Sequence, residues 1–204
     1  MKDRYALLSF LIPATVRTIP EILSWPYPIG FDTLMFAPYV KQQTYLNLAI
    51  PQLLKQTSLL FLLETYLSIL IGDLILTVKI LGPLLTGLVS LSIYIYTTHK
   101  LSWHPRKALL ASILAGTYFV ALRISWEMYR QMLATFIFFL ATAHHWKTTR
   151  QLTATMLAGL LIAWTHEFIT VLFAAAVLAQ ALASRNPRQA LKTILVAVLA
   201  GLLF

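Results

Sequence analysis

Apolar runs of 12 to 24 residues recur along this chain, separated by short segments rich in Lys and Arg. This alternation constrains the fold more than any other feature. Hydrophobic residues make up 59% of the 204 residues and charged ones 11%; a water-soluble domain carries about 45–50% and about 25%. So few charges cannot cover a surface facing water, and the predicted class is an all-α membrane protein with the bilayer as its main solvent. With no cysteine there is no disulfide framework, thiolate metal site or thiol nucleophile. The net charge of +9 lies in short loops between apolar runs, where it orients helices. No basic stripe follows one helix, so no nucleic-acid partner is expected.

The first run, Tyr5 to Val16, follows Lys2 and Arg4. No small-residue cleavage site succeeds it, so it reads as an uncleaved, short first helix. Later runs are Leu74–Thr97, interrupted by Lys79 and Pro83, then Ala108–Leu122, Gln131–Ala143, Leu152–Thr165, Phe168–Ala183 and a last one from Leu191 to Phe204. That makes about seven transmembrane helices in a single domain spanning residues 1–204. Turns fall at Trp103-His104-Pro105 and Ser184-Arg185-Asn186-Pro187, since proline disfavours helix in the residue before it. The short final run predicts an amino-terminal part of a larger architecture, completed by further sequence or by another membrane chain.

Residues 17–73 form the long non-spanning stretch, with amphipathic surface helices expected around Tyr39–Leu48 and Leu53–Ile71. Ser58–Ile71 is apolar but 14 residues long and holds Glu64. Topology arbitrates. With that segment on the surface, ten of sixteen basic residues lie in cytoplasmic segments (Lys2, Arg4, Lys100, Arg106, Lys107, Lys147, Arg150, Arg185, Arg188 and Lys192). If it crossed, every later loop would change sides, against the positive-inside rule. The expectation is therefore a multi-pass protein of the cell membrane, amino terminus cytoplasmic, in contact with membrane lipids.

This topology gathers Glu21, Asp32, Glu64, Asp73, Glu127 and Glu167 at the outer face. Arg123-Ile-Ser-Trp-Glu127-Met-Tyr-Arg130 links two spans, and Thr165-His166-Glu167 the next two. Each has a bland counterpart. The spacing of Arg123, Glu127 and Arg130 suits a local ion-paired helix turn, and His166-Glu167 suits a tight interhelical cap. Trp126 and Tyr129 suit interfacial aromatics, and Lys79 a snorkelling lysine. The most specific feature is Pro28-Ile-Gly-Phe-Asp32-Thr33, a turn presenting a carboxylate at the membrane boundary. Partial desolvation there raises a carboxylate towards the range of a useful base. A plain Asx-type turn is its structural alternative.

In combination these segments resemble the C-type glycosyltransferase superfamily, polytopic enzymes that use polyprenyl- or dolichol-linked sugars and include protein mannosyltransferases and oligosaccharyltransferases. The matching positions are Arg17, Pro20 and Pro28-Ile29-Gly30-Phe31-Asp32-Thr33, then Lys79-Ile-Leu-Gly-Pro-Leu-Leu, Ser125-Trp-Glu-Met-Tyr-Arg130-Gln and Thr165-His-Glu-Phe. The resemblance implies an inverting transfer at the outer surface, with Asp32 as the catalytic base and a lipid-linked sugar donor as partner. Lys79, Arg123 and Arg130 would receive the leaving phosphate. Glu127, His166 and Glu167 would tune the site or hold a divalent cation, and one histidine among hard carboxylates suits Mg or Mn better than Zn. Nothing in the sequence demands a metal. The alternatives are a non-catalytic scaffold or accessory subunit, or a transporter fragment, for which mid-span charges are sparse.

Overall fold

The computed structural model describes residues 2–30, 38, 58–125, 128–143 and 149–183. All regular structure among them is helical: α1 (Lys2–Leu23), α2 (Leu59–Ile71), α3 (Leu74–His99), α4 (Pro105–Thr117), α5 (Phe119–Ile124), α6 (Tyr129–Thr142), α7 (Thr149–Thr165) and α8 (Glu167–Ala183). Two of these, α1 and α3, are long and apolar enough to cross a bilayer. The others have 17 residues or fewer. Seven spans are thus more than helix length and composition establish. The expected surface helix at Tyr39–Leu48, the final run from Leu191 and the loop carrying Asp32 lie outside the described residues.

Helix α3 is the axis of the bundle. It packs against α1, α2, α4 and α6, while α7 and α8 pack against α6 and each other, and α7 also meets α2. The α2–α3 corner follows from two adjacent residues. Gly72 takes a left-handed conformation at φ 78° and ends α2, as a residue without Cβ does readily. Asp73 then opens α3, its side chain accepting from the Leu76 backbone N–H at 3.0 Å, the usual satisfaction of an orphan first-turn donor. Leu60, Val78, Leu81, Leu85, Tyr129, Met132 and Leu133 form one core cluster; Ala134, Ile162, Ile169, Phe173 and Val177 form a second.

Two boundaries differ from the sequence expectation. Helix α1 continues through Pro13 and Pro20 to Leu23, so Arg17 and Glu21 sit inside it, one turn apart. The expected span Ala108–Leu122 breaks at Tyr118, whose ψ of 142° is extended and divides α4 from α5. Arg123 lies in α5 and Arg130 in α6.

Polar groups are buried while large apolar ones face outward. Leu70 is 82% exposed, Leu23 81% and Leu182 75%, whereas Arg17, Glu64, Ser90 and Ser112 are fully buried. Many buried hydroxyls turn back on their own helices: Thr86 donates to the Gly82 carbonyl at 2.9 Å and Thr97 to that of Ile93 at 2.8 Å. Such internal satisfaction is what an apolar surrounding demands.

Candidate functional site

The densest polar cluster joins the end of α1 to the first turns of α3 and α6. Arg17 and Glu21 are spaced i, i+4 on α1, and the guanidinium Nη2 lies 2.8 Å from Glu21 Oε1. The other carboxylate oxygen, Oε2, receives the Lys79 ammonium of α3 at 3.1 Å. Lys79 also donates to Ser24 Oγ at 3.1 Å and the Tyr27 carbonyl at 2.6 Å. Its three donors are thereby matched, and it straps the turn after α1 to α3.

Arg17 is different. Its Nη2 reaches the Ser125 carbonyl at 3.3 Å, but Nε and Nη1 have no hydrogen-bond partner among the described residues although the side chain is fully buried. Two cations share Glu21, and one keeps unmatched donors. Tyr129, fully buried among the helices, donates to the Val78 carbonyl at 3.3 Å. Gly82 makes this convergence possible. A Cβ there would lie 2.6 Å from the Tyr129 hydroxyl and 2.9 Å from Arg17 Nη2. One turn further along α3, Thr86 opens a mainly apolar pocket of about 180 Å³, lined also by Val89, Gly116, Ile124, Gln131 and Met132.

A second cluster lies on the other side of the α6 N-terminus. Arg130 Nε donates to the Thr165 carbonyl at 3.0 Å, and its Nη2 lies 3.3 Å from Glu167 Oε2. A cation there complements the carbonyl end of α7, and the half-exposed pair is worth little by itself. The backbone N–H of Glu167 chiefly holds its carboxyl below the usual range, with help from Arg130 and His166. Burial lowers the His166 imidazole below its ordinary value. The structure thus unites Arg130, His166 and Glu167 as a clip on the α7–α8 turn. Lys79 joins the other cluster, Arg123 lies near the end of α5, and Asp32 and Glu127 lie outside the described residues.

Among the described residues no group of three or more His, Asp or Glu side chains is placed to hold a metal ion. Sequence reasoning missed Glu21, Glu64 and Tyr129 as site residues and carried Arg17 only as a matching position of the resemblance. The i, i+4 spacing of Arg17 and Glu21 was the available signal; Lys79 is 58 positions from Glu21, beyond any local pattern. No protein-family profile, curated protein or solved structure matches the chain.

Proposed function

We propose that this chain is a multi-pass cell-membrane protein, amino terminus cytoplasmic, that transfers a sugar from a polyprenyl- or dolichol-linked donor at the outer face. The carrying observation is Arg17: a fully buried guanidinium whose Nε and Nη1 lack partners among the described residues, beside a second cation that shares its carboxylate. An anion complements that arrangement, and a phosphate oxygen is the acceptor a guanidinium serves best. The apolar pocket one turn away gives a lipid chain somewhere to begin.

In the transfer, the acceptor hydroxyl oxygen attacks the anomeric carbon and the carbon–oxygen bond to phosphate breaks. The electron pair leaves on the lipid phosphate, which Arg17 stabilises. The hydroxyl proton passes to the Asp32 carboxylate. Lys79 acts indirectly here, holding Glu21 and therefore Arg17 in place.

Transfer from a radiolabelled lipid-linked donor tests the proposal. Asp32→Asn keeps size and most hydrogen bonding but cannot take the proton, so turnover should fall by about 10²–10⁴-fold while donor binding persists. Near-native turnover by that variant removes Asp32 from the mechanism. Donor binding by the native chain without any transfer supports the accessory-subunit reading instead.

A further inference from the structure

Glu64 takes no part in the ion pairs of the site, yet it is fully buried and neither carboxylate oxygen has a hydrogen-bond partner among the described residues. It lies one turn after Leu60, which packs into the core with Val78, Leu81 and Tyr129. Across Gly82 the Tyr129 hydroxyl and Arg17 Nη2 converge on the same point of α3. An unmatched carboxyl on α2, one turn from Leu60, and unmatched guanidinium donors on α1 therefore flank the packing around Tyr129.

Burying such a group unpaired opposes folding, so packing gives no reason to keep it. A ligand carrying hydrogen-bond donors supplies the reason. We propose that Glu64 is the sugar-reading residue of the site, accepting hydroxyl hydrogen bonds from a glycosyl group whose phosphate rests on Arg17. This rests on the lipid-phosphate reading above and adds a residue that distinguishes the glycosylated lipid from the bare one. A hydroxyl-rich headgroup satisfies both carboxylate oxygens; a bare lipid phosphate satisfies Arg17 alone.

The test is equilibrium binding of two radiolabelled lipids, a polyprenyl phosphate and the same lipid carrying one hexose, to the full chain in nanodiscs. The native protein should bind the glycosylated lipid about ten-fold more tightly, as expected for about one net hydrogen bond to a buried carboxyl. Glu64→Gln should shrink that preference, and Glu64→Leu should abolish it. Both should leave affinity for the bare lipid within about two-fold of native. Glu64→Leu should also raise the melting temperature, because an unpaired buried polar group is replaced by an apolar one. A native protein that binds both lipids equally, or a Glu64→Leu variant that keeps the preference, overturns the inference and leaves phosphate binding intact. A native protein that binds neither lipid overturns the lipid-phosphate reading itself, and the inference with it.

Discussion

Lys79 of α3 donates at 3.1 Å to Glu21 of α1, 58 residues away, within a pair almost wholly shielded from solvent. Because Glu21 also neutralises Arg17, one carboxylate holds two buried cations.

Glu21→Gln should therefore be among the most destabilising single substitutions in the chain. Removing one member of a buried ion pair costs about 3–5 kcal/mol, chiefly because the remaining charge is left uncompensated. Unfolding in detergent should register that loss. Adding Lys79→Met removes one stranded cation and should recover part of it. Equal stability of Glu21→Gln and the native chain would show that the cluster does not form.

Gly82→Ala should disturb the same cluster sterically. The new Cβ meets the Tyr129 hydroxyl and Arg17 Nη2 below contact distance. Overpacking of this kind costs about 1–3 kcal/mol, against about 1 kcal/mol gained from the better helix propensity of alanine. The expected result is a modest net loss of stability together with weaker binding of a polyprenyl phosphate, because Arg17 must shift. Unchanged lipid affinity would separate Arg17 from the anion site.

Much of the helical layout was legible because local chemistry wrote it. The apolar runs around Leu74–Thr97, Leu152–Thr165 and Phe168–Ala183 became α3, α7 and α8 with ends shifted by few residues. The break at Tyr118 was not legible, since neither proline nor glycine occupies the break and packing competes there with helix propensity. Gly116, two residues earlier, leaves room for Ser90 and Pro13. The buried cluster was legible only within α1. Its remaining members, Lys79, Ser125 and Tyr129, come from distant segments: Lys79 read as a snorkelling lysine or a phosphate contact and Tyr129 as an interfacial aromatic, and no local pattern joined any of them to Glu21.

The side assignment is testable by thiol labelling, since the native chain has no cysteine. Ser125 is a poor reporter because it is buried and its carbonyl accepts from Arg17. Met128, 46% exposed beside the α6 N-terminus, is a better one. Cysteine at Met128 should react with an impermeant reagent from outside, and cysteine at the exposed Ser102 should not. The reverse pattern would invert the topology and place the Arg17 cluster on the cytoplasmic side.

The α7–α8 turn should loosen in acid, in two stages. The His166 imidazole is lowered from 6.5 mainly by burial, with Arg130 adding to the shift and Glu167 opposing it. A group with a depressed folded pKa binds more protons in the open state, so its contribution is complete above 6.5 and is lost as pH falls through the folded value. Glu167 obeys the same sign lower down: its contribution is complete above 4.5 and disappears as pH falls through its lowered folded value. The turn is held by the His166 N–H to the Ile162 carbonyl at 2.9 Å and by Thr170 Oγ1 to the His166 carbonyl at 2.9 Å. Hydrogen exchange across residues 163–170, corrected for intrinsic rates, should therefore show protection falling below pH 6.5 and falling again in the carboxylate range. His166→Ala should remove the first stage and leave the second, whereas Glu167→Gln should do the opposite. Protection that stays constant from neutrality into the carboxylate range would show that neither side chain is held as the structure places it.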